Sequence, residues 1–141
     1  MSLRPFLDAN ILFTAAYNPQ GLARLLFELQ NRKSLSLLTS SLAIEEAKFN
    51  LEIKKPAALD DLAKLIESLQ VTHAPARIPV VLDLPPKDLL IFSAAVASKS
   101  THLLTGDKKH FSRYFNKPNI TAAVAIQTVR EFFTIHFGLR R

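Results

Sequence analysis

The sequence contains no cysteine. Disulfides, thiolate metal sites and a cysteine nucleophile are therefore excluded, and a reducing compartment, the cytoplasm, is the expected location. Acids are scarce: twelve Asp and Glu stand against eighteen Lys and Arg, for a formal net charge of +6 and an isoelectric point near 9.8. That balance favours a polyanionic partner such as nucleic acid, because Lys and Arg gain by releasing phosphate counterions. No uncharged run approaches the ~20 residues a membrane span needs. Residues 1–6 carry no long apolar h-region, so no signal peptide is expected. Internal repeats, linkers and low-complexity stretches are also absent.

What is present is a chain of 141 residues, 48% of them hydrophobic, which suits one globular domain over residues 1–141. An apolar run from Leu3 to Leu7 reads as a strand ending at Asp8, and residues 10–16 as a loop turning into a helix. Leu22, Leu25, Leu26 and Leu29 recur at helical spacing. Residues 34–38 read as a short strand. Thr39, Ser40 and Ser41 offer N-caps for a helix running through Leu51. Pro56 sits at the start of another helix carrying Leu59, Leu62, Leu65, Ile66 and Leu69, where its missing N–H costs nothing. Four prolines between His73 and Pro86 call for an extended connection, with an edge strand at Val80 to Leu82. Asp88 is expected to open a helix apolar all round, and therefore buried on more than one side. Residues 102–105 and 120–126 read as strands and residues 129–137 as the closing helix. This alternation predicts an α/β fold with a parallel sheet sandwiched by helices.

The few acids fall at telling places. Asp8 and Asp107 follow strands, Glu45 and Glu46 lie early in the helix after the second strand, and Asp88 stands at the start of the buried helix. In an open parallel sheet, ligands bind beyond the carboxyl ends of the strands, so the topology gathers acids that the sequence scatters. Each also has a plain structural role as a helix cap, a turn residue or a solvated helix residue. Gathered together they would repel, and at least one pKa should rise unless a cation is present. Hard oxygen ligands suit Mg²⁺ or Mn²⁺, ions able to polarise a phosphoryl oxygen and activate water.

The stretches FLDANILF, SSLAIEEAKFNL and PPKDLLIFSAAVASKSTHLLTGDKKHF resemble the PIN-domain family, in particular the small prokaryotic PIN proteins that are toxins of toxin–antitoxin pairs. The resemblance covers nearly the whole chain. It implies a three-layer α/β/α sandwich, Mg²⁺- or Mn²⁺-dependent endoribonuclease activity, an RNA substrate, a cognate antitoxin and a homodimer. Carried over residue by residue, Asp8, Asp88 and Asp107 match the metal-binding and catalytic acids. Glu46 is chosen over Glu45 because it directly precedes Ala47, which continues the buried face. Asn10 matches a polar residue neighbouring the first Asp and is a candidate substrate contact, with a helix-start residue as the alternative.

Lys108, Lys109 and Arg113, beside Asp107, are candidates for holding the substrate backbone. His110 reads as a surface histidine beside that path, with ligand or base as the alternative. His73, His102 and His136 have no second ligand at metal spacing and read as structural. Ser93 and Ser98 lack a paired His and Asp. Phe111 and Phe115, four apart, read as anchors of the turn. Gly106 is expected to let the backbone turn freely before Asp107. Leu22 to Leu29 and Leu59 to Leu69 are candidate dimer faces. Two other functions compete: a catalytically silent RNA-binding PIN module, and a haloacid-dehalogenase-like phosphatase using Asp8. The second wants an acid two residues after its nucleophile, where Asn10 stands.

Overall fold

The computed structural model describes residues 2–78 and 80–139. Five short strands form one sheet: β1 (Pro5–Leu7), β2 (Leu38–Ser40), β3 (Gln70–Thr72), β4 (His102–Leu104) and β5 (Ala125–Gln127). Their order is β3-β2-β1-β4-β5 and every pairing is parallel. Seven helices join them: α1 (Ala9–Tyr17), α2 (Leu22–Asn31), α3 (Ser41–Lys54), α4 (Leu59–Glu67), α5 (Pro86–Ala97), α6 (Lys108–Phe111) and α7 (Val129–Phe137). α1 packs on α2, α3 and α4, and α2 reaches α7, whereas α5 packs against β2 and β4. The result is the expected three-layer α/β/α sandwich. Because helices cover both faces, β1, β2 and β4 are buried at every position.

Several boundaries differ from the sequence reading, each for a local reason. Helix α1 begins at once at Ala9, because Asp8 caps it and Ile11, Leu12, Ala15 and Ala16 turn one face to the core. The second strand lies at Leu38–Ser40 rather than 34–38; Leu35 and Leu37 are buried as its approach, and ladder pairing begins where the chain comes alongside β1. The edge strand is Gln70–Thr72, not Val80–Leu82. Val81 is 75% exposed in irregular chain. Pro85, not Asp88, caps α5, Pro86 is its first residue, and Asp88 falls in the first turn. Residues 120–123 belong to a turn, with Ala122 and Ala123 at positive φ and the Thr121 hydroxyl bonded to the carbonyls of Lys117 and Val124.

The predicted dimer faces turn mainly inward: Leu26 and Leu62 are buried, and Leu22, Leu25, Leu29, Leu59, Leu65 and Ile66 pack against the core. The large apolar side chains left exposed include Phe49 and Ile53 on α3 and Tyr17 on α1. No described helix is long and apolar enough to cross a membrane.

His102, at the start of β4, is buried against the ring of Phe132. Its Nδ1 shares a hydrogen bond with the Thr101 hydroxyl at 2.8 Å, and its Nε2 meets His136 Nε2 at 2.9 Å. Burial, then the neighbouring His136, lowers its pKa to about 4. The folded pKa lies below the unfolded value, so the unfolded chain takes up the proton first. The His102 contribution is therefore whole above pH 6.5 and is lost as pH falls toward 4, by up to about 3 kcal/mol. We expect His102→Phe to flatten the fall of Tm over that interval relative to the wild type. A variant with the same pH slope would refute the assignment.

Candidate active site

The sheet order fixes where a site can form. From β1 the chain first builds outward through β2 and β3, then returns to the other side of β1 for β4 and β5. The switch point lies between β1 and β4, and the crevice beyond the carboxyl ends of these strands is where such sheets hold ligands. Asp8 leaves β1 at that edge, and Thr105, Gly106 and Asp107 leave β4.

Asp8 is 3% exposed. Its Oδ1 accepts from the Ala9 N–H at 2.7 Å, capping α1, and its Oδ2 accepts from the Thr105 hydroxyl at 2.8 Å. Burial pushes its pKa up to about 6 against the lowering effect of those two bonds, and the charges of Asp88 and Glu46 push the same way. Asp88 is raised too, by burial first and then by Asp107. Asp107 behaves oppositely: burial raises its pKa, but its bonds to His110 together outweigh that effect and hold it low. Asp107 Oδ1 caps α6 by accepting from the His110 N–H at 3.0 Å. Glu46 is half-buried where Glu45 is exposed, and it meets Lys87 Nζ at 2.8 Å. Lys87 is raised chiefly by that hydrogen bond.

Thr105, fully buried, joins the two strand ends. Its hydroxyl donates to Asp8, accepts from the Asp107 N–H at 3.0 Å and accepts from Asn10 Nδ2 at 3.3 Å. The other arm of Asn10 accepts from the Gly106 N–H at 2.9 Å. The expected backbone freedom at Gly106 is not used: its φ is not positive, and a Cβ there would meet Asn10 only at ordinary contact distance. Phe111 is buried and Phe115 packs on the core, holding the turn. Ser93 donates to its own helix at the Leu89 carbonyl, 2.7 Å away.

His110 is not a free surface residue. Its Nδ1 lies 2.7 Å from Asp107 Oδ2 and 3.3 Å from Asp88 Oδ2. Asp88, Asp107 and His110 each offer a ligand atom, all within 4.8 Å of one another, and form the metal-capable group among the described residues. Hard carboxylates with one imidazole suit a divalent first-row ion or Mg²⁺. The like charge around Asp8 fits a nearby cation as well.

The cations stand on two sides. Lys109, His110 and Arg113 line a cleft with Pro85 and Asp83, where Arg113 meets Asp83 at 2.8 Å. Lys108 faces another groove with Thr105, Gly106 and Arg130. Sequence reasoning missed Thr105 and Lys87, and read His110 as a surface histidine ahead of a ligand or base. The T-G-D run contained the signal for Thr105, since a hydroxyl at a buried strand end must find partners.

Two outcomes follow from this geometry. Thr105→Val removes a buried donor and acceptor, and should cost about 1–3 kcal/mol in denaturant unfolding. It should also raise the Asp8 titration midpoint above about 6, read by carboxyl NMR; an unmoved midpoint would break the link between the two residues. Asp88→Asn relieves repulsion, so in chelator it should raise Tm by roughly 2–4 °C, the shift of about 1 kcal/mol in a domain this size. With excess divalent ion the order should reverse, because only the wild type gains full binding energy.

A sequence profile of the PIN domain matches residues 4–109. None of the curated proteins matches the chain. Among solved structures, it is similar to VapBC2 from Rickettsia felis bound to a DNA fragment from their promoter, with 20% identity, a TM-score of 0.65, and 89% of this chain and 98% of that chain covered. It is similar to DNA-bound VapBC from Salmonella typhimurium, at 19% identity and TM-score 0.63 over 90% and 98% of the two chains. It is also similar to VapBC-1 from nontypeable Haemophilus influenzae, at 15% identity and TM-score 0.59 over 91% and 99%. With the profile spanning most of its length and the fold matching throughout, the chain belongs to the PIN-domain family.

Proposed function

We propose that the chain is a divalent-cation-dependent endoribonuclease, the toxin of a toxin–antitoxin pair acting in the cytoplasm. The observation that supports this reading is the grouping of Asp88, Asp107 and His110 beside the buried Asp8, whose pKa is pushed up to about 6 by burial and then by the charges of Asp88 and Glu46. A site that stores like charge in the free protein is suited to a cation. Mg²⁺ or Mn²⁺ bound there would supply charge for the phosphoryl oxygen and acidify water.

The chain's own residues would divide the work. Asp88 and Asp107 would hold the ion with Asp8 close behind. Glu46 would orient the attacking water, with Lys87 steadying its charge. Lys109 and Arg113 on one side, and Lys108 on the other, would hold backbone phosphates without reading sequence. Asn10 is better suited to positioning than to contacting substrate, because both ends of its amide hold the turn at residues 105–106. The phosphatase alternative is disfavoured: Asn10 stands where its second acid is wanted, and that amide is taken up by Thr105 and Gly106. The toxin role is supported by likeness to VapBC structures. Phe49 and Ile53, 61% and 66% exposed, would give an antitoxin or a second copy an apolar surface to bury.

The test is cleavage of single-stranded RNA with Mn²⁺, with Mg²⁺ and with EDTA. Cleavage should vanish in EDTA, fall at least a hundredfold in Asp8→Ala, and leave 5′-phosphate and 3′-hydroxyl ends. Activity that persists in EDTA, or 2′,3′-cyclic phosphate ends, would overturn the proposal.

A further inference from the structure

The four acids do not account for His110. Its side chain is 38% exposed, yet the ring turns toward the acids. Two features hold it there. Its backbone N–H is tied to Asp107 Oδ1 at 3.0 Å, and the next residue, Phe111, is fully buried. An imidazole nitrogen has a single in-plane direction for a proton or a lone pair. Nδ1 faces two carboxylate oxygens, at 2.7 Å and 3.3 Å, so that direction leads into the gap between Asp107 and Asp88. Neighbouring ligands on an octahedral ion with bonds of ~2.1 Å lie about 3.0 Å apart. The two observed separations bracket that edge length.

We propose that His110 is a nitrogen ligand of the divalent cation, with Asp88 and Asp107, and that it biases the site toward a first-row transition ion over Mg²⁺. The proposal rests on the cation-dependent reading above and adds the donor set. Mg²⁺ prefers oxygen and keeps several waters, whereas imidazole suits transition ions. A site of carboxylates alone would leave the choice to ion size and availability. One fixed imidazole changes the ranking. The competing role for His110 is that of an N–H donor that merely orients Asp107. As a donor it would bring no ligand to the ion, and its loss would not change the preference among ions.

The experiment uses the full chain, stripped with chelator and titrated calorimetrically with MnCl₂ and with MgCl₂. The wild type should bind Mn²⁺ at least tenfold more tightly than Mg²⁺. His110→Ala should lose tenfold or more in Mn²⁺ affinity while changing Mg²⁺ affinity little, which collapses the preference. Pulsed EPR of the Mn²⁺-loaded wild type should detect a directly bound ¹⁴N, a signal that needs no variant and that His110→Ala should abolish. Unchanged Mn²⁺ affinity in the variant, or no ¹⁴N coupling in the wild type, would overturn the nitrogen-ligand assignment and leave the cation site standing. A wild type that binds neither ion would overturn both the assignment and the cation-dependent reading beneath it.

Discussion

The interaction on which the rest of the site depends is the bond between the Thr105 hydroxyl and Asp8. It ties the end of β4 to the end of β1 across the switch point of the sheet, at 2.8 Å and out of water. The same oxygen receives the Asp107 N–H, so a single hydroxyl sets the relation between two acids 99 positions apart in the sequence. Burial still wins at Asp8. Ionising it in the folded chain costs roughly 3 kcal/mol, a penalty absent below about pH 4 and complete above about pH 6. A domain of this size has little stability to lose, so such a residue is kept at the cost of the free fold.

Around Asp8 the chain sets charges against one another. Asp107 is held low by His110, whereas Asp88, in contact with the same ring, is raised. Environments that push neighbouring carboxyls apart are typical of sites where one group must stay ionised and another must yield a proton or meet a cation. Lys87 belongs to the same balance. It stands in the first turn of α5, where the helix dipole disfavours a cation, yet it meets Glu46 at 2.8 Å. A residue placed against a local preference beside an acidic site is better explained by the site than by the helix.

Two site residues also carry fold duties. Asp8 caps α1 and Asp107 caps α6. Capping and ligation need the same geometry, an oxygen just beyond a strand and before a helix. The plain and the chemical readings of Asp8 and Asp107 were therefore never exclusive. For Asp88 the cap reading fails, since Pro85 holds the cap position and Asp88 stands in the first turn of α5.

The sequence by itself determined the alternation of elements, the buried strands and helices, and the placement of Asp8 and Asp107 just beyond strands of a parallel sheet. Periodicity, proline positions and the scarcity of acids are local or compositional signals that survive without coordinates. It also favoured Glu46 over Glu45, and the fold leaves Glu45 exposed. Only the tertiary structure decided the rest. The edge strand Gln70–Thr72 shows no alternation, because it is exposed and exists only by pairing with β2. Val80 to Leu82 has the composition of a strand but no neighbour in the sheet. Thr105, Lys87 and His110 act through partners distant in sequence or across a turn. A hydroxyl, an ammonium or an imidazole acquires its role from the direction in which it is held, and direction is fixed by packing.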